Sequence, residues 1–597
     1  MRRFFIILFL ALLALTEAFG VDRNTAMRVA RTVLDAGGTK GEGTTLTLLW
    51  NGLPETKANS EEDAPFYVFG KPDGGFAIVA GYEAVHPVLG YSLTDRFSLE
   101  QLPPQVRDFL DGMARVIISA RERGMSPSGT ISTEWEQYLY GQNTDEKEVV
   151  LKTAKWDQGD PYNMFCPLYN GERTVTGCTN TAAAIVMRYH RWPDAGVGDL
   201  PGYTSPFNQT QGMNIEGHSL GHKYDWDNMP EENLFNNENV SFYQQQQVAQ
   251  LMYDLGIMNQ SGYGYETSAA LHVPEFVAHF NYDPSMQYVS RRYVPVNMVW
   301  ESLIKDEIDS SRPVIYNAAL SPNTAHAFVI DGYKGRLFHI NFGWGGFSDA
   351  FMLVTPIDDQ ESDITFDIWG HQMYLGIRPN KTGIDTSIRV EYLEVSPDYD
   401  YEPNKTFYAM WQGRSFLLED RTFRIAFCLS GPGEEVEEII SEPKDILIPS
   451  LGTGSFGDEC IIKTQLRGDQ SIRICYMDES GKWIVAPADI RGRFQLSYDH
   501  QLRSLSKLEY TKTDPNDVEW EFVLIRIPGN ARFVLLDDNG ARIDPIDYLN
   551  DVPVSTSYYY RDGYGNYIIK HKRGTDSHRY TVRIFDLIET VEFGVSL

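Results

Sequence analysis

Past Pro379 the hydrophobic pattern of this chain changes kind. Up to that point helical and strand-like runs are mixed and rich in aromatics and glycine. Beyond it only short alternating segments persist, as in "TFRIAFCLSGPG", "SIRICYMDESGKW" and "ARFVLLDDNGARI", each bounded by Gly, Pro, Asp or Asn. A period of two buries one face of a strand, so this texture predicts two β-sandwiches, Ig-like, over 381–497 and 498–597, divided near "DHQLRSLSKLEY". At 597 residues the chain exceeds what one core can serve, because domains run to about 100–200 residues.

The amino-terminal part has its own organisation. "MRRFFIILFLALLALTEAFG" combines two arginines, a short apolar run and small residues suited to a signal peptidase, which predicts a signal peptide over 1–20 and export out of the cytoplasm. The run falls short of the roughly 20 apolar residues that span a bilayer, and no later segment reaches that length, so no membrane span is expected. Residues 21–145 read as a separate α+β unit: a helix in "NTAMRVARTVLDAGG", strands in "PFYVFG" and "GFAIVAGYE" around the turn "KPDGG", and a second helix near "LPPQVRDFLDGMARVI". The polar stretch from Ser128 to Lys155 reads as an exposed linker. A formal net charge of -30, from 52 basic and 82 acidic side chains, repels phosphate backbones and excludes nucleic acid as a partner.

The five cysteines are too sparse for a disulfide scaffold and would allow two bridges at most. Cys428, Cys460 and Cys475 sit in strand-like runs and read as buried fillers, with room for one disulfide. There is neither a CxxC pair nor an HExxH, so neither a metal nor another cofactor is expected. His218 and His222 in "GHSLGH" are four apart, but flanking glycines favour a loop over a helical ligand pair.

Cys178 stands apart. It opens "CTNTAAAIVMRYHRWP", whose Thr/Asn start, alanines and closing Pro193 predict a helix. A thiol at a helix amino terminus feels the positive end of the dipole, which favours thiolate; a small buried cysteine packing as an apolar residue is the competing reading. The nucleophilic reading requires a base. His326 begins an apolar run that is followed, after Lys334 and Gly335, by a second run from Arg336, which together predict a β-hairpin. With Lys334 and Gly335 as the loop, Tyr333 faces Arg336, and Asn341 becomes the same-face diagonal neighbour of His326. The order Cys, then His and Asn about 130 to 150 residues downstream is that of papain-like sites. His339 reads as structural.

Three stretches, "WDQGDPYN", "TGCTNTAAAIVMRYHRWP" and "HAFVIDGYKGRLFHINFGWGGFSDAFMLV", resemble in order the signature regions of the streptopain-type cysteine peptidases, which include the interpains. The resemblance implies an α+β, papain-like catalytic domain over 146–380 and a secreted endopeptidase acting on proteins and peptides. It further implies that 21–145 is an inhibitory propeptide, removed by a cut between Ser132 and Ala154. Residue by residue it makes Cys178 the nucleophile, His326 the general base and acid, Asn341 the residue that orients the histidine, and Gln158 the side-chain donor of the oxyanion hole. Gly177, Trp344 and Gly345 would border the cleft. Phe342 departs from the family's usual Trp, which shields the histidine. Acyl transfer to amines and a non-catalytic adhesin with a decayed peptidase domain are the rival functions.

Overall fold

The computed structural model describes residues 19–35, 45–53, 64–100, 102–141, 146–290, 297–321, 324–354, 371–381, 387–396, 402–488 and 494–495, and eight strands between 507 and 596. The signal-peptide segment up to residue 18 lies outside the described residues. The chain gathers into two compact units, Met1–Phe276 with Met286–Pro379, and Val277–Ser285 with Asn380–Leu597.

The first unit begins with helix α1, Arg23–Asp35, whose Ala26, Val29, Ala30, Val33 and Leu34 recur at helical spacing and are all buried. Asp22 caps it, accepting the Asn24 and Thr25 N–H groups. An antiparallel meander follows in β1 (Thr47–Trp50), β2 (Phe66–Gly70), β3 (Phe76–Ala80) and β4 (Val88–Ser92). Every residue of β2, β3 and β4 is buried, so these strands are covered on both faces. Helix α2, Pro104–Glu122, contributes Phe109, Leu110, Met113 and Ile117 to the same core.

From Ser128 onward the structure departs from the linker expectation. Ser128 caps a helix, α3 (Gly129–Leu139), with its hydroxyl on the Ile131 N–H. Ile131 and Trp135 are buried, and the Trp135 indole donates to the Val85 carbonyl at 3.0 Å. Two apolar anchors on an otherwise polar helix are enough to dock it, and so few leave only a weak periodic signal. After it, β5 (Glu148–Val150) joins the sheet of the catalytic half.

That half supplies helices α4 (Cys178–His190), α5 (Phe242–Met258) and α6 (Asn297–Asp309). Its strands are β6 (Gln287–Ser290), β7 (Val314–Ser321), β8 (Thr324–Lys334), β9 (Leu337–Asn341), β10 (Ala350–Met352) and β11 (His371–Leu375). The meander and these strands form one eleven-stranded sheet in the order β1-β2-β3-β4-β10-β9-β8-β7-β11-β6, with β5 added on β8. At the β4/β10 seam Phe351 lies opposite Tyr91 with stacked rings 5.3 Å apart, and the Leu353 N–H donates to the Leu89 carbonyl. A single core runs through both parts, taking Phe109 and Met113 from α2 and Phe328, Ile340 and Phe342 from the hairpin.

In the second unit the strands from Ile388 to Gln495 form a three-stranded and a six-stranded sheet, which share a core of Leu393, Trp411, Ile425, Phe427 and Ile474. The last eight strands form two four-stranded sheets. All five cysteines are free thiols.

His218 and His222 do lie outside any helix, and both rings turn onto one carboxylate. Asp254 of α5, fully buried, accepts from His218 Nε2 and His222 Nε2 at 2.8 Å each, from the Tyr224 hydroxyl at 2.6 Å and from the Gln250 amide at 2.8 Å. Among the described residues no group of His, Cys, Asp and Glu could hold a metal ion. Burial pushes the Asp254 carboxyl up, but its donors outweigh that and hold it below the usual range. Its hydrogen bond raises His222 above the ordinary imidazole value, against a smaller opposing effect of burial. A raised histidine contributes stability that is fully present below the unfolded pKa of about 6.5 and fades as pH climbs through the folded value; a depressed carboxylate contributes above about 4 and loses it in acid. Asp254→Asn is therefore expected to cost about 1–3 kcal/mol, through the donors of His218, His222, Tyr224 and Gln250 that a neutral amide satisfies less well. It should also flatten the fall in stability above about pH 6.5, read as urea midpoints across pH 4 to 9. An unchanged pH profile in a destabilised variant would count against the histidine linkage.

Candidate active site

The loop before α4 is built to present Cys178. Gly177 precedes it with φ +93°, a backbone conformation that favours glycine, and a β-carbon there would come within 3.0 Å of the Thr267 carbonyl. Thr267 in turn donates to the Val175 carbonyl, and the Val175 N–H donates to Gly264, so the "GYGYETS" loop walls the nucleophile segment. On the helix side, buried Asn180 donates to the Thr176 carbonyl and to Ser261, and accepts from Asn259. Gln158 is also buried and beside this loop, its carbonyl accepting the Thr176 N–H at 3.0 Å.

Cys178 is partly exposed at the first position of α4, whereas the other four cysteines are buried. Burial raises its thiol, but the hydrogen bond and charge of His326, with the Ala327 and Thr179 N–H groups, outweigh that and bring it below the ordinary thiol value. At Cys166 burial prevails over the opposing Arg173 charge, and the thiol is pushed up to about 12.

His326, the third residue of β8, is 2% exposed. Its Nε2 lies 3.0 Å from the Phe342 carbonyl oxygen. A carbonyl only accepts, so Nε2 carries the proton in that bond and Nδ1 is left to face the thiol. The rings of Phe342 and Trp344 stack against the imidazole at 6.4 and 6.2 Å, and Phe328 lies at 6.2 Å. Phe109 of α2 packs edge-on against both Phe342 and Phe328, so a residue of the amino-terminal part stands directly behind the histidine.

The hairpin register differs from the sequence expectation. Lys334 pairs with Leu337 and Tyr333 with Phe338, so the loop residues are Gly335 and Arg336. A bulge between Ile330 and Gly332 shifts the ladder again, and Asn341 pairs with Val329. Paired residues share a face and His326 is an odd number of residues from Val329, which puts Asn341 on the opposite face of the sheet.

Asn341 accordingly does not touch the imidazole. Its amide donates to Thr153 Oγ1 at 3.0 Å and to the Ala154 carbonyl at 2.9 Å, and its oxygen accepts the Gly343 N–H at 3.1 Å. That N–H belongs to the same peptide group whose carbonyl, that of Phe342, meets His326. The Gly-rich turn that follows leads Trp344 past the ring, and the Gly345 N–H donates to the Trp156 carbonyl, which sets it beside the Gln158 segment. His339, read as structural, is bound to Asp331. The Phe342 carbonyl and Thr153 were not legible in advance, since a main-chain acceptor has no side-chain signature and Thr153 sits in a polar run.

Comparison with known proteins adds to this geometry. The Peptidase C10 family model matches residues 156–352, and the Spi protease inhibitor model matches residues 18–117. Streptopain of Streptococcus pyogenes is 30% identical over 309 residues, which cover 49% of this chain and 74% of streptopain. The thiol protease/hemagglutinin PrtT of Porphyromonas gingivalis is 28% identical over 307 residues; the match spans 49% of this chain but only 34% of that protein. Among solved structures, a prointerpain A fragment of Prevotella intermedia aligns at 25% identity with a TM-score of 0.45, over 56% of this chain and 99% of the fragment. The chain belongs to the peptidase C10 family, as a cysteine peptidase with a Spi-type inhibitor segment ahead of its catalytic part.

Proposed function

We propose that the chain is a secreted endopeptidase made as a zymogen, papain-like in its catalytic half and Ig-like in its carboxy-terminal sheets, acting through Cys178 and His326. The observation that carries this reading is that His326, its Nε2 fixed by the Phe342 carbonyl, lies close enough to Cys178 to bring the thiol below its ordinary value. In that arrangement the thiolate attacks the scissile carbonyl. The Cys178 N–H and the Gln158 amide receive the oxyanion, and His326 protonates the departing amine through Nδ1. Water, deprotonated by the same nitrogen, then releases the acyl group from sulfur. Asn341 orients the histidine at one remove, by holding the Phe342–Gly343 peptide.

The same contacts support autoinhibition by the amino-terminal part. While β4 is paired to β10 and Phe109 is wedged against Phe342, the aromatic bed of His326 belongs jointly to both parts. The segment after α3 belongs with the catalytic half: the Leu151 N–H donates to Asp331, Thr153 is bound to the Asp331 carboxylate, and Ala154 accepts from Asn341. The maturing cut is therefore assigned after Leu139 and before Lys147.

Cys178→Ala is expected to remain unprocessed and inert toward casein while the wild-type chain converts itself, and His326→Ala to lose about 10²- to 10⁴-fold in cleavage rate. A wild-type chain that neither processes itself nor cleaves casein would sink the peptidase reading. Amino-terminal sequencing of the matured enzyme should give a start no later than Lys147; a start beyond Leu151 contradicts the assignment of that segment. Phe109→Ala, which removes a large buried side chain at a cost of about 3–5 kcal/mol to the zymogen, should hasten self-processing in a time course by gel. Equal or slower conversion would mean that Phe109 is not part of the restraint.

A further inference from the structure

Asp349 lies just before β10, 5% exposed, and plays no part in the chemistry described so far. Its Oδ1 accepts the Phe342 N–H at 3.1 Å. The next peptide along is the one whose N–H is held by Asn341 at 3.1 Å and whose carbonyl meets His326 at 3.0 Å. Phe342 is thus gripped on both sides of its α-carbon, by a carboxylate on its own N–H and by a side-chain amide on the N–H that follows. A residue fixed at both flanking peptides cannot rotate its carbonyl without breaking one of the two bonds. Gly343, at φ +72°, would otherwise leave that carbonyl free to swing.

The surroundings of Asp349 fit a fixed acceptor. The charged groups that act on it are His339 of β9, Asp331 of β8 and Asp95 after β4. Burial pushes its carboxyl up to about 7, eased by the His339 charge and by the Phe342 N–H. Asp331 ties His339 in place and also binds Thr153, which receives the Asn341 amide. The two grips on Phe342 therefore rest on one connected set of buried polar groups.

We propose that Asp349 is a positioning residue for His326, acting through the Phe342 N–H to keep the Phe342 carbonyl aimed at Nε2. The role requires an acceptor oxygen at this place rather than a negative charge. It rests on His326 being the partner of Cys178, so the test separates the two claims. The rate of Cys178 alkylation by iodoacetamide is followed against pH, by peptide mass, in the full chain matured by a tagged, removable wild-type enzyme. Peptide hydrolysis is measured in parallel. Asp349→Ala is expected to lower kcat by about 10- to 100-fold with little change in KM, and to move the alkylation midpoint up by about one pH unit as the imidazole loses its alignment with the thiol. Asp349→Asn, which keeps an acceptor oxygen, should recover most of both.

His326→Ala provides the reference. If it leaves the alkylation midpoint unmoved, the His326 assignment fails. If His326→Ala moves the midpoint and a folded Asp349→Ala does not, the inference about Asp349 fails alone. Should Asp349→Ala not accumulate, Asp349→Asn still decides, because a midpoint as high as that of His326→Ala in a folded Asn variant overturns the acceptor role, and a midpoint near wild type supports it.

Discussion

The hydrogen bond from His326 Nε2 to the Phe342 carbonyl is the contact on which the rest of the site depends. It fixes the tautomer, and with it which nitrogen faces Cys178. A backbone carbonyl is a strong acceptor, but its direction is only as firm as the peptide that carries it. The parts of the fold nearest the site can be read as the means of holding that peptide still. β9 ends at Asn341 just before it, β10 begins at Ala350 just after Asp349, and the strap of residues 151–154 lies alongside.

The amino-terminal part takes hold of the same region. Its strand β4 pairs with β10, next to Asp349, and its helix α2 places Phe109 on Phe342. Both contacts are apolar or main-chain to main-chain, the kind that holds without charge and separates when the connecting chain is cut and its effective concentration falls. Residues 146–154 make their bonds to β8 and Asn341 rather than to the meander. The proposed boundary between inhibitor and enzyme follows from these contacts: it falls between α3, anchored by Trp135, and β5.

How much of this was legible in the sequence depended on whether a feature was carried by side-chain type or by backbone path. Cys178 at a helix start and His326 at the head of a strand could be read, because Thr, Asn and Ala after the thiol and a continuous apolar run after the imidazole leave a trace in the sequence. The register could not. Placing the turn one residue early, on Lys334 and Gly335, slid the pairing by two residues and kept the face; missing the bulge at Ile330 to Gly332 is what put Asn341 on the wrong face. Helix α3 was hidden for a related reason, since only Ile131 and Trp135 of its eleven residues are buried.

The same distinction bears on Phe342 standing where the family usually has tryptophan. If the side chain at this position were the acceptor for the histidine, the substitution would remove a catalytic contact. The acceptor is instead the main-chain oxygen, which every residue type supplies equally. What the ring contributes is shielding: it stacks on the imidazole at 6.4 Å and is itself 1% exposed, with Trp344 and Phe328 around the same imidazole. A smaller ring can weaken the exclusion of water from the Nε2 bond, but it leaves the bond's geometry to Asn341 and Asp349. The chain can thus depart from the family at residue 342 because the orientation of its histidine is held by the neighbours of that residue and not by its side chain.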